Sequence, residues 1–308
     1  MDTIAQQPTQ SSGATRTTPT RIAVGVDAFP EGHDAAALGR ALADVTGAQL
    51  MLVMVHSDPL VLPPIGVQWS ALRKEAQRVL QKARATVAPG ARTSLATDFS
   101  VPRALQRVVH QGHHDLLVMG SSRKGPEGRV RIGTRTRQLL CGFESALAVA
   151  PRGYGARPDR RLARIGVGYD GSPEAEAALA LAASIARGAH ADLEVYAVVD
   201  DRTPPIGWSR FASGGAAHAE WEDAVLAEAD RRQSETEAAA KECGTRARVE
   251  IKRGRPADAL LELSESVDLL VVGSRRWGPV KRVLLGTTGE ALLHDAACPV
   301  VVVPRPHA

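Results

Sequence analysis

Two loops of this 308-residue chain carry residue types that could hold an anion, and each has a carboxylate upstream at the end of an apolar run. The first loop reads Gly120-Ser121-Ser122-Arg123-Lys124-Gly125-Pro126 and continues to Gly133-Thr134. The second reads Gly273-Ser274-Arg275-Arg276-Trp277-Gly278-Pro279 and continues to Gly286-Thr287. Glycines let backbone N–H groups approach an anion, and a threonine near a helix N-terminus adds a hydroxyl donor and the positive end of the helix dipole. Such a loop suits phosphate. The carboxylates, Asp27 and Asp170, repel phosphate but accept hydrogen bonds from ribose hydroxyls or an adenine amine. Loop and carboxylate together describe a nucleotide site.

The elements that must position these residues occur twice. The loops are offset by 153 positions (273 − 120, 286 − 133) and the carboxylates by 143 (170 − 27), so the second copy gains a net ten residues between Val198 and Asp268. The insertion is expected around Ser209 to Glu220. In each copy an apolar run ends at the Asp, an Ala-rich helical stretch follows (35–45 and 173–187), and a second apolar run comes next (Leu50 to Val55, Leu193 to Val198). Matching Pro-Pro-Ile-Gly loops (Pro63 to Gly66, Pro204 to Gly207) lead to polar helices expected to begin near Trp69 and Trp221. Each copy continues with a third strand, a helix, a fourth apolar strand (Asp115 to Met119, Asp268 to Val272), the Gly-rich loop, a helix and a last strand (Ala146 to Ala150, Pro299 to Val303). Continuous apolar strands separated by helices are buried on both faces, which predicts an α/β fold with two Rossmann-like parallel sheets flanked by helices. Ligands of such sheets sit beyond the carboxyl ends of the strands where strand order reverses. The last strands are too apolar for open edges, and their pairing would make an intramolecular pseudo-dimer. The expected organisation is a disordered tail (1–20), a first domain (21–151), a linker (152–161) and a second domain (162–305).

Composition narrows the function classes. A net charge of +4 spread among balanced Arg, Asp and Glu residues does not call for nucleic acid. Three cysteines, Cys141, Cys243 and Cys298, have no CxxC spacing, which fits a reducing compartment, with the cytoplasm as the expected location. No apolar run approaches the roughly 20 residues that span a bilayer, so no membrane is expected.

The first-strand Asp, the loop following the pattern Gly-x-x-Gly-x9-Gly-Ser/Thr after strand four, and the terminal run Cys298 to Val303 together resemble the universal stress proteins, here in tandem over 21–151 and 162–305. The resemblance implies strand order 3-2-1-4-5 in each copy, dimerisation through the last strand, and binding of adenine nucleotide, ATP foremost, with Mg2+ as a candidate companion. It implies phosphate contacts from Gly120, Gly133 and Thr134, and from Gly273, Gly286 and Thr287. Asp27 and Asp170 would hold the base or ribose. Spacing adds the backbone of Val55 and Val198 at the adenine. Both copies depart from the pattern at its second Gly, which is Arg123 and Arg276. A left-handed backbone there would cost an arginine about 1 kcal/mol. Gly125-Pro126 and Gly278-Pro279 could absorb the change. Two readings stay open: the guanidinium is a fork donor to phosphate, or it fills the pocket. The turn Asp170-Gly171-Ser172-Pro173 is nearer the family than Asp27-Ala28-Phe29-Pro30, so the second site is expected to be the stronger.

Other signals have plainer readings. Gly166, Gly168 and Gly171 match a dinucleotide GxGxxG, yet two of them lie inside a strand. His110, His113 and His114 are expected in a polar turn, Arg129, Arg131, Lys281 and Arg282 on a solvated helix face, and Cys298 as a small buried residue. No catalytic constellation emerges. The expectation is a nucleotide-binding regulatory protein rather than an enzyme, acting on an unidentified protein partner, with a homodimer of whole chains as a candidate assembly. The alternatives are a slow ATP hydrolase or nucleotidyl-transferring enzyme, and an interaction module without nucleotide.

Overall fold

The computed structural model describes residues 18–56, 69–140, 143–157, 160–201, 215–274 and 286–304. The first copy contributes β1 (Arg21–Val26), β2 (Gln49–His56), β3 (Arg92–Thr97), β4 (Leu116–Gly120) and β5 (Ala146–Ala150). The second contributes β6 (Arg164–Tyr169), β7 (Asp192–Val199), β8 (Ala247–Arg253), β9 (Leu269–Gly273) and β10 (Val300–Val303). All ten join one sheet in the order β3-β2-β1-β4-β5-β10-β9-β6-β7-β8. Each half therefore has the order 3-2-1-4-5, with every pair inside a half parallel, as in Ile22 opposite both Leu50 and Leu116. The seam β5–β10 is antiparallel, with Val301 opposite Ala148. The expected pairing of the last strands is realised, and the whole sheet is mixed because of it.

The strands are buried because helices cover both faces. These are α1 (Pro30–Thr46), α2 (Trp69–Val87), α3 (Val101–Gln111) and α4 (Thr134–Leu140), then α5 (Pro173–Ala189), α6 (Gly215–Glu242), α7 (Pro256–Ser266) and α8 (Thr287–Asp295). On one face Ile22, Val24 and Leu38 share an apolar cluster with Ile165, Ile185 and Val301. On the other, Leu105, Leu117 and Leu147 join Leu263, Leu270 and Leu292. Each cluster draws on both copies, and each fully buried Leu or Ile contributes about 1.5–3 kcal/mol relative to exposure. Helices α1 and α5 touch across the seam so closely that a Cβ on Gly188 would stand 1.8 Å from the carbonyl oxygen of Val45.

Local sequence explains most boundaries. Pro173 opens α5, and Ser172 Oγ accepts the N–H of Ala175 at 3.2 Å as its N-cap. Helix α1 ends on left-handed Gly47 (φ 69°), and α5 ends on His190 in the same conformation (φ 53°), at the matching position of the repeat. Helix α2 starts at Trp69 as expected. Helix α6 does not start near Trp221: it begins at Gly215 and runs 28 residues against 19 in α2, so part of the insertion extends the helix. The Pro-Pro-Ile-Gly loops lie outside the described residues. Among the described residues no helix is long and apolar enough to cross a membrane.

Candidate functional site

Because β1 and β4 are neighbours whose outgoing chains diverge to α1 and to the Gly-rich loop, a crevice opens beyond their carboxyl ends. A cavity of about 360 Å³ occupies it, and Asp27, Val55, Gly120, Arg123, Gly133 and Thr134 all line it. Of the expected first-copy residues only Gly125 stands outside the lining. It turns the loop instead: its N–H donates to Ser122 O at 2.9 Å, and a Cβ there would meet Arg131 Cβ at 2.8 Å.

The lining glycines do different work. A Cβ on Gly120 would lie 2.1 Å from the carbonyl oxygen of Glu31, so that glycine lets β4 close against the first turn of α1. A Cβ on Gly133 would find Ser122 Cβ at 3.6 Å and would otherwise project into the cavity. Arg123 does not carry the expected backbone strain. Among described non-glycine residues only His113 and His190 have positive φ, and the left-handed position of this loop is Gly128 (φ 76°). The guanidinium lies 3.8 Å from the centroid of the Phe29 ring, and both residues line a cavity that remains open.

Asp27 closes an Asx turn, its Oδ1 accepting the N–H of Phe29 at 3.0 Å. Desolvation in the crevice pushes its carboxyl above the usual aspartate range; the Phe29 N–H opposes this, Glu31 adds to it, and Arg123 and Arg135 oppose it. Glu31 also lines the cavity. It is 7% exposed, its Oε1 is 3.9 Å from Arg152 Nε, and its Oε2 has no hydrogen-bond partner.

In the second copy Asp170, Val198, Gly273, Gly286 and Thr287 line one cavity of about 760 Å³. Arg276 and Gly278 lie outside the described residues. Asp170 repeats the Asx turn, accepting the N–H of Ser172 at 3.0 Å, so in both copies one carboxylate oxygen serves the turn. Gly273 repeats the packing of Gly120, with Glu174 C 2.7 Å from its missing Cβ. Arg232 of α6 also lines this cavity and donates to Asp170 O at 2.7 Å and Glu228 Oε1 at 2.8 Å, a contact no repeat signal announces.

Two plain readings need correction or sharpening. Arg129 and Arg131 are not on a solvated helix face. Arg129 pairs with Glu265 of the second copy at 3.0 Å, and Arg131 reaches His294 at 3.4 Å. Gly166 and Gly168 lie inside β6, packed against Leu263 and Leu260 rather than opening a loop. His114 is buried, which lowers its pKa, and His113 holds a left-handed turn (φ 46°). Among the described residues no group of three His, Cys, Asp or Glu side chains is placed to hold a metal. Cys298 is fully buried, and burial pushes its thiol up to about 12.

Sequence reasoning missed Arg152, which supports the loop, and Asp34, which holds the segment after β5. Arg152 donates to Gly125 O at 3.0 Å, and its signal was available: Pro151-Arg152 returns as Pro304-Arg305 at the 153 offset. Asp34 accepts the N–H groups of Gly153 and Gly155 at 2.8 and 2.7 Å, tying the chain after β5 to α1. Its counterpart is Ala177, so the repeat gave no hint of it.

A doubly wound sheet repeated about an antiparallel seam, with a crevice at each reversal of strand order, defines a tandem Rossmann-like α/β protein. The sequence profile of the universal stress protein family matches residues 19–149 and 162–304, and the chain belongs to that family. A universal stress protein of Mycobacterium tuberculosis (strain H37Rv) is 27% identical over 304 residues, covering 91% of this chain and 96% of its own. One from Mycolicibacterium smegmatis is 28% identical, covering 92% and 97%. In structure, the chain is similar to the crystal structure of a universal stress protein from Archaeoglobus fulgidus, with TM-score 0.65, 17% identity and coverage of 93% and 99%.

Proposed function

We propose that the chain binds adenine nucleotide, ATP foremost, in its two crevices and acts as a regulatory stress-response protein in the cytoplasm rather than as an enzyme. The observation that carries this reading is that one cavity brings together the strand-terminal Asp27, Val55 and the Gly133-Thr134 end of the loop, and that Asp170, Val198 and Gly286-Thr287 repeat the arrangement. Phosphates would lie along the loop, where Gly133 leaves room. The free oxygen of each Asp would accept from ribose or adenine, and the backbone at Val55 and Val198 would meet the base. The two domains are taken as 21–151 and 162–305, joined by the linker 152–161. Ligand would order the Gly-rich loops and change a surface that a protein partner, or a second copy of the chain, reads.

Calorimetry with ATP, AMP and cyclic AMP tests the reading. ATP is expected to give saturable heat, and Gly286→Val is expected to weaken it more than Gly133→Val. No heat with any nucleotide overturns the proposal.

One observation favours slow hydrolysis as a second reading. Glu31 lines the cavity with one carboxylate oxygen enclosed and unpartnered, and a turn of that side chain toward the cavity would let it hold Mg2+ or a water. Phosphate release at multiple turnovers per minute, lost in Glu31→Gln, would establish it in place of the non-enzymatic one.

A further inference from the structure

We infer that the first crevice is a composite site: its Gly-rich loop is set in place by Arg152 of the linker and by the end of α8 in the second copy, so residues outside the first repeat govern ligand affinity there. This rests on the nucleotide reading above and adds to it the groups that position the loop.

The loop from Ser121 to Gly133 makes few bonds to the rest of its own copy. Ser121 Oγ donates to Ala150 O at 2.7 Å, and the remaining bonds near the crevice are internal, such as Ser122 N–H to Arg131 O at 2.6 Å. Its outer arm belongs to the second copy. The N–H groups of Val130 and Ile132 donate to Ala296 O and Leu293 O at 2.8 and 2.9 Å, and both side chains are buried in the cluster that contains Leu292 and Leu293. Arg129 adds a hydrogen bond to Asp295 O at 3.1 Å beside its pair with Glu265.

The near arm belongs to the linker. Arg152 donates from its guanidinium to Gly125 O and from its backbone to Arg129 O at 3.2 Å, while its carbonyl accepts from Gly128 at 2.9 Å. The same side chain approaches Glu31 in the cavity lining, so one residue connects the loop to the first turn of α1.

Helix α8 gives this support a second consequence. Its first residue, Thr287, lines the second crevice, and its last turn accepts the hydrogen bonds of the first loop. Nine residues make a rod of about 13 Å, short enough to move as one body. Ligand that shifts the start of α8 therefore shifts the loop of the other site, and linkage makes the effect mutual.

Photolabelling of the full chain with 8-azido-ATP, followed by peptide mapping, reads the two crevices separately. Arg152→Ala is expected to lower labelling of first-crevice peptides about tenfold at sub-saturating probe, the size of a lost charge-assisted hydrogen bond, and to lower labelling of the second crevice by a smaller factor, transmitted through α8. Arg152→Lys should recover part of the loss. Glu265→Gln, at a solvated position, should weaken the first crevice about twofold to fivefold. Hydrogen exchange at the amides of Val130 and Ile132 should quicken in both Arg152→Ala and Glu265→Gln. Wild-type labelling of the first crevice in both variants, or an equal fall in both crevices, overturns the inference. Should the wild-type chain label in neither crevice, the nucleotide reading fails, and exchange at these two amides decides the composite loop alone: unchanged exchange in both variants overturns it.

Discussion

Arg123 and Phe29 both line the first crevice and touch there, the guanidinium 3.8 Å from the ring centroid. One side chain comes from the loop after β4 and the other from the turn that Asp27 closes, so the contact bridges the two walls. The arginine lines the cavity without filling it, and its backbone keeps ordinary geometry. An exposed contact of this kind is worth about 0.5–1 kcal/mol, small enough to open often. Arg123→Ala is accordingly expected to speed both association and dissociation of a fluorescent ATP analogue at this site by about twofold to fivefold. Stopped-flow traces indistinguishable from wild type would remove the arginine from the ligand's path.

Gly120 and Gly133, the two glycines of the loop that line the cavity, should respond differently to the same substitution. Gly120→Ala drives a methyl group into the Glu31 carbonyl and should cost about 2 kcal/mol or more of stability. Gly133→Ala meets only Ser122 at van der Waals distance, so stability should change by about 0.5 kcal/mol at most while nucleotide affinity falls. Thermal melts paired with titrations check both. A Gly133→Ala chain that binds as wild type would move the phosphates away from this position.

Asp27 separates stability from binding. Burial raises its carboxyl pKa, so the ionised form is disfavoured in the native state. Whatever stability the group contributes is present in full below the ordinary aspartate range and is lost as pH rises through the raised value. Asp27→Asn keeps an oxygen for the Phe29 N–H but puts an amide donor where the second carboxylate oxygen stood. The variant should be at least as stable as wild type near neutral pH, with the gap closing toward acid, and should bind ATP more weakly. A Tm below wild type near neutral pH would contradict the burial argument.

The helix ends at Gly47 and His190 test the repeat against itself. Both are left-handed C-caps, but only the first has the residue that adopts this conformation freely. His190→Gly should raise stability by about 0.5–1 kcal/mol, the left-handed strain relieved less the extra freedom of an unfolded glycine. Gly47→Ala should lower it by about 1 kcal/mol. Denaturant unfolding of the two variants gives both signs directly.

Cys298 should be chemically silent. With its thiol pushed up to about 12 by burial and no exposed surface, the native chain holds almost none of the reactive thiolate near neutral pH. A thiol reagent should therefore leave it unmodified in the native chain and modify it fully after denaturation, as peptide mass mapping would show.

Much of this architecture could be read in the residues. Fully apolar strands such as β4 and β9 have to be covered on both faces, which fixes a parallel sheet with helices on either side, and the apolar last strands could not remain as edges. The crevice was legible because its parts recur, Asp27 with Asp170 and Gly133-Thr134 with Gly286-Thr287. What escaped was whatever one copy holds alone or makes only with the other. Asp34 clamps Gly153 and Gly155 through their backbone N–H groups, yet Ala177 stands at its repeat position. Arg129 has the look of a surface arginine because its partner, Glu265, is brought near only by the seam. Gly120 shows a third limit: a glycine needed for helix–strand contact reads the same as one needed for a ligand.

The antiparallel seam between β5 and β10 has a consequence for how such a protein can change over time. Two separate chains that pair through their last strands must find each other and separate on dilution, and every substitution appears in both. With both partners on one chain the pairing does not weaken as the protein becomes scarce. Each half is also free to vary on its own while the other preserves the assembly. His190 opposite Gly47, and Ala177 opposite Asp34, are the marks of that freedom, and they make the two crevices available for different tasks at a fixed one-to-one ratio.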